Sequence, residues 1–148
     1  VDAAAEFLGI HTPRLDDKGR LILPARFRDD LGDKIVVTKG PDRCVLIYPY
    51  AEFRTRILDP LAAGTSASRN VRALRRAYLG NASTETLDRQ GRVTIPPALR
   101  TWGGLDKDCV VIGQGTYIEL WDRAAYEQIE QDSDDVLGSL DVEGAILF

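Results

Sequence analysis

The chain has no methionine, a single histidine (His11) and only two cysteines, Cys44 and Cys109, in 148 residues. So few imidazoles and thiols, without a C-x-x-C spacing, exclude an ordinary zinc site and a disulfide framework. Both cysteines are expected as reduced thiols on strands. No apolar run approaches the roughly 18 residues that a membrane helix needs, so no membrane partner is expected. No P-loop, Cys–His pair or paired-carboxylate pattern occurs, and His11, beside Thr12 and Pro13, reads as structural. The lone Gly138-Ser139 dipeptide lies outside any expected strand, which speaks against a self-cleaving decarboxylase. The expectation is a non-enzyme without metal or cofactor. Val1–Glu6 (VDAAAE) reads as a non-native leader before a natural start near Phe7, with no signal-like stretch. The expected location is the cytoplasm.

What is there is charge, and it is segregated. The formal net charge is −4, which by itself speaks weakly against nucleic acid. Yet Arg14 to Arg28 holds five bases against two acids, and Arg69 to Arg100 seven against two. From Asp122 to Phe148 one base faces eight acids. A partner responds to local potential, so two basic segments beside an acidic tail matter more than the sum.

The basic segments contain a repeat. LDDKGRLILPARFR, Leu15 to Arg28, returns as LDRQGRVTIPPALR, Leu87 to Arg100. Each reads as a turn closed by a glycine (Gly19, Gly91), a short alternating strand, a proline and a short helix. The likeness continues: Ile35–Val37 matches Cys109–Val111, and Tyr48–Phe53 matches Trp121–Tyr126. Each half therefore predicts β-β-α-β-β-α. The expected segments are 7–58 for the first repeat, 59–80 for a linker and basic helix, 81–131 for the second repeat and 132–148 for an acidic tail. Strands are expected at Ile10 to Leu15 and Ala82 to Leu87, and a final helix at 123–131 with Asp122 as its N-cap. Ala145 to Phe148 (AILF) offers a short apolar stretch that could dock, in a tail expected to be mobile. One half of about 45 residues is near the limit for a self-sufficient core, so the halves should interleave around one pseudo-twofold core.

Arginine is suited to nucleic acid because its guanidinium stays charged and can bridge a phosphate or hold guanine bidentately. Arg20 and Arg92 follow the two turns and point away from the Leu/Val/Ile face. Lys18, Arg14 and Arg89 lie beside them, and Asp16 and Asp88, four residues before each arginine, can pin the turns as ion pairs. In the intervening helix Val71, Leu74 and Tyr78 share one face. Arg69, Arg72 and Arg76 share the other, either as a solvated face or as a phosphate-facing stripe.

The pattern D-x-x-G-R-[LV]-x-[IL]-P-x-x-[FL]-R resembles the AbrB-type swapped-hairpin module of bacterial DNA-binding regulators and antitoxins. Two copies in one chain, with FLGIHTPRL ahead and ELWD before the last helix, are similar to the MraZ family. The resemblance covers Phe7 to about Gln131. It implies a mostly β, α+β fold: a pseudo-twofold double-hairpin β-barrel with short peripheral helices. It also implies a transcriptional regulator, nucleoid-associated, that binds repeated double-stranded promoter boxes of the division and cell-wall gene cluster as a ring-shaped homo-oligomer. The DNA-contact role falls on Arg20 and, through the repeat, on Arg92. The alternative is an antitoxin-like or adaptor module that binds protein through the acidic tail.

Overall fold

The computed structural model describes residues 5–140; the AILF stretch lies outside them. In the first repeat, β1 (Ile10–His11), β2 (Arg20–Ile22) and α1 (Ala25–Leu31) precede the hairpin β3 (Ile35–Lys39) and β4 (Val45–Pro49). Helices α2 (Tyr50–Phe53) and α3 (Asp59–Ala63) follow, joined by a wide π-helical turn over Arg54–Leu58. Helix α4 (Arg69–Leu74), extended by a second wide turn over Arg75–Leu79, leads into the second repeat. That repeat comprises β5 (Ser83–Glu85), β6 (Arg92–Thr94), α5 (Pro97–Trp102), β7 (Cys109–Gly113), β8 (Ile118–Asp122) and α6 (Arg123–Gly138).

Six strands form one antiparallel sheet in the order β1-β7-β8-β4-β3-β5, and β2 and β6 form a separate two-stranded ribbon. The repeats trade strands symmetrically. β1 of the first pairs with β7 of the second, β5 of the second pairs with β3 of the first, and β4 meets β8 at the centre.

The expected closed barrel is not formed: neither sheet closes on itself. The ribbon strands are three residues long, and Pro24 and Pro96 stop them where a further N–H would be needed. The ribbon ends on the opposite repeat's turn: Leu23 N–H donates to Gly91 O (3.2 Å) and Ile95 N–H to Gly19 O (2.8 Å). Those bonds continue the ribbon's own ladder; its edge-facing donors on Arg20 and Arg92 are held by Asp16 and Asp88, and Pro24 and Pro96 have none, so the ribbon does not join the main sheet. The strand expected over Ile10 to Leu15 also shortens to two residues, leaving only isolated bridges at Arg14 and Leu15.

Alternation along the strands divides the core in two. Ile35, Val37, Val45, Ile47, Val111, Ile118 and Leu120 face the ribbon's Leu21 and Val93, with Leu23, Ile95, Phe27 and Leu99 alongside. Val36, Leu46, Tyr48, Val110 and Trp121 face the other way, under Phe53, Tyr78 and Ile129 from the helices. A sheet covered on both faces explains the unbroken apolar runs IVV and CVV. Each fully buried aliphatic side chain contributes about 1.5–3 kcal/mol. Cys44 and Cys109 are buried and unpaired. Burial pushes both thiols up, Cys109 to about 11, so they are protonated at neutral pH. His11 stacks edge-to-face on Phe27 with ring centroids 5.1 Å apart.

Two helices run longer than the sequence leads one to expect. The small-residue stretch after Leu58 continues the helix to Ala63. Pro60 has no N–H, and the wide turn before it, with Asp59 N–H donating to Arg54 O, keeps the helix intact. Arg75 then secures the end of α3, donating to Leu61 O (2.9 Å) and Gly64 O (2.5 Å). Helix α6 passes Gln131 and reaches Gly138. Side-chain bonds Gln128–Asp132 (3.1 Å) and Gln131–Asp135 (2.9 Å) offset the poor helix propensity of its acidic end.

Candidate nucleic-acid interface

The two D-x-x-G-R turns are near copies in atomic detail. In the first, Asp16 Oδ1 accepts from the backbone N–H groups of Lys18 and Arg20, both at 2.9 Å. Its Oδ2 accepts from Arg20 Nε at 2.8 Å. In the second, Asp88 Oδ1 accepts from the N–H groups of Gln90 and Arg92, both at 2.9 Å, and Oδ2 from Arg92 Nε at 2.6 Å. Gly19 and Gly91 close the turns at φ 75° and 78°. The Arg20 backbone N–H, ahead of the other donors in the turn, holds the Asp16 carboxyl below the usual aspartate range. Arg92 does the same for Asp88.

Pairing through Nε leaves the terminal amino groups pointing onward. Arg20 uses neither of them on any described residue, and Arg92 uses one, on Gln90 Oε1 at 3.0 Å. The carboxylate thus orients each guanidinium, and the two arginine side chains remain partly exposed, at 28% and 24%.

Ribbon register brings the two arginines together. Arg20 lies opposite Thr94, Leu21 opposite Val93, and Ile22 opposite Arg92. Leu21 and Val93 are fully buried, so the other four side chains share the outward face. Arg20 and Arg92 are diagonal neighbours there, about 7–8 Å apart. Lys18 is exposed at one tip of the strip, Arg89 and Gln90 at the other.

Two arginines outside the expected site support it. Arg100, at the end of α5, packs against the first repeat's turn: a Cβ on Gly19 would meet its Cζ at 2.8 Å. Arg28, in the last turn of α1, packs still more closely under Gly91 and donates from Nε to Leu23 O at 2.9 Å. Each turn is braced by the other repeat's arginine. The shared terminal arginine of the motif carried that signal, but not the exchange.

The remaining basic residues disperse. Arg14 pairs with Asp108 at 3.3 Å, both largely exposed. Helix α4 and its extension pack over the sheet face opposite the ribbon, through Tyr78 and Leu79. Arg69, Arg72 and Arg76 therefore do not join Arg20 and Arg92, and Arg72 is occupied with Ser66 O and Ala67 O at 2.9 and 3.1 Å.

A family model described as "MraZ protein, putative antitoxin-like" matches residues 7–76 and again 78–138. The chain belongs to the MraZ family. It is 50% identical over 141 residues to the transcriptional regulator MraZ of Salinispora arenicola, covering 95% of this chain and 97% of that one. It is 52% identical over 121 residues to the MraZ regulator of Kineococcus radiotolerans, covering 82% and 84%. The Thermobifida fusca regulator is 47% identical over 134 residues, covering 90% and 93%. These family members are transcriptional regulators, and this chain is a regulator of the MraZ type rather than an enzyme. Among the described residues no helix is long and apolar enough to cross a membrane.

Proposed function

We propose that the outward face of the β2–β6 ribbon binds double-stranded DNA at repeated boxes in the promoter of the division and cell-wall gene cluster. The observation that carries this reading is the pair of carboxylate-oriented guanidiniums on one exposed face. A surface ion pair contributes only about 0–1 kcal/mol to stability, a thin reason to build the turn twice. As an anion-contact element the duplication is useful, because each phosphate neutralised adds a counterion-release increment.

The test is a gel-shift titration of a fragment from upstream of the gene. Arg20→Ala and Arg92→Ala should each weaken binding by about 1–3 kcal/mol, roughly 5- to 150-fold, with the fold unchanged by circular dichroism. Unaltered affinity in the double variant removes both arginines from the mechanism.

Binding as a ring-shaped homo-oligomer is supported by α6. Its apolar stripe packs on the sheet at Tyr126 and Ile129. The same stripe then overshoots the body, leaving Val136, Leu137 and Leu140 at 63%, 68% and 40% exposure. A shallow apolar trough of about 370 Å³ between Pro41, Leu74, Tyr78 and Trp102, flanked by Lys39, offers a matching surface on a second copy. Charge agrees, since Asp132 and Asp134 border the stripe. Many ribbons on one ring gain avidity through effective concentration. The alternative, an antitoxin-like or adaptor module, would use the same bare α6 tip for a different protein.

A further inference from the structure

We infer that Ile22 is a specificity residue, whose side chain contacts the 5-methyl group of a thymine in the major groove. This rests on the ribbon being the DNA-binding face.

Ile22 is half exposed on the strip that carries Arg20 and Arg92. It lies two residues along β2 from Arg20 and directly across from Arg92, so a guanidinium flanks it on each side. An aliphatic group so placed has few partners on DNA. Phosphates offer it nothing apolar, and the minor groove presents only acceptors and the guanine amino group. The major groove presents one apolar substituent, the thymine methyl, beside the guanine O6 and N7 acceptors that suit arginine. A two-stranded ribbon fits that groove, which is about 12 Å wide, and β2–β6 has no third strand to obstruct it.

Side-chain stiffness supports the assignment. Isoleucine is β-branched and sits on a strand, so χ1 is restricted and little rotamer freedom remains to lose on contact. The pseudo-equivalent residue of the second repeat is Thr94, which presents a hydroxyl and a smaller methyl. Methyl reading therefore belongs chiefly to the first repeat.

The probe is a duplex enriched from a random-sequence pool by the full-length wild-type chain. Its thymines are replaced one at a time by deoxyuridine, which keeps pairing and removes only the methyl. At one thymine the replacement should weaken wild-type binding about three- to tenfold, the scale of one buried methyl contact. Ile22→Ala should lose a similar factor on the thymine probe and be indifferent to the replacement at that position. The inference is overturned by an enriched sequence without thymine, by a probe in which no methyl is sensed, or by equal sensitivity in Ile22→Ala. A variant that changes subunit number while keeping its methyl response would also overturn it, marking Ile22 as a contact between copies. Arg20→Ala/Arg92→Ala, run beside it, separates the two readings. If that variant loses DNA and Ile22→Ala does not, only the methyl contact fails. If it binds like wild type, the DNA face itself is elsewhere.

Discussion

Asp16 and Asp88 each hold two backbone N–H groups and one guanidinium, so their ionised forms shape the tips of the ribbon. Both carboxyls titrate below the ordinary aspartate value of roughly 3.9. With the folded pKa below the unfolded one, their stabilising contribution is fully present above about pH 4 and is lost as pH falls through the lower folded value. Urea midpoints measured from pH 7 down to pH 2 should fall along this acid limb, and Asp16→Asn/Asp88→Asn should flatten it while lowering the neutral-pH plateau. The neighbouring glycines give a second residue-scale prediction. Gly19 and Gly104 both have positive φ, but a Cβ on Gly104 meets nothing within 4 Å, whereas one on Gly19 meets Arg100. Gly104→Ala should cost about 1–2 kcal/mol, the left-handed penalty alone. Gly19→Ala should cost more, and chemical denaturation of the two variants checks the order.

The ribbon is amphipathic with period two, so adjacent substitutions should behave oppositely. Leu21→Ala removes a fully buried side chain from between the sheets and should cost about 2–5 kcal/mol in denaturant unfolding. Ile22→Ala, one residue on, should change stability little. This alternation was legible in RLI and RVT, as were the turns, because a glycine between aspartate and arginine is local chemistry. Pairing between repeats was not legible in the same way. Nothing local tells Arg20 that its partner is Thr94, 74 residues away, or that β1 will cross to β7. The same gap separates the expected closed barrel from the open sheets, since joining the main sheet needs edge-facing ribbon N–H groups, and these are held by Asp16 and Asp88 or missing at Pro24 and Pro96. Helix lengths escape the sequence for another reason. Pro60 and the acids after Gln131 are genuine breakers in isolation, and a widened turn and paired side chains override them.

Across the whole molecule, basic ribbon and acidic α6 are separate surfaces, which reconciles a net charge of −4 with an anionic partner. Affinity for the promoter fragment should fall linearly with salt on logarithmic axes, with a slope near −0.9 per phosphate contacted. Arg20→Ala should make that slope shallower by about one if its contact is a phosphate. On the ring proposed above, Val136→Asp/Leu137→Asp should lower the mass in solution by light scattering and weaken binding to several boxes far more than to one; an unchanged mass would remove the α6 tip from that assembly. The exchange of Arg28 and Arg100 between repeats has a further consequence. Two separate half-length chains making these contacts would be identical, and their ribbon would look the same from either end. Joined in one chain, the ends are free to diverge, and they have: lysine against glutamine, aspartate against arginine, isoleucine against threonine. Such a surface has a head and a tail; meeting DNA as proposed, each chain should sit on a box in one orientation, and inverting that box should weaken binding as thoroughly as deleting it.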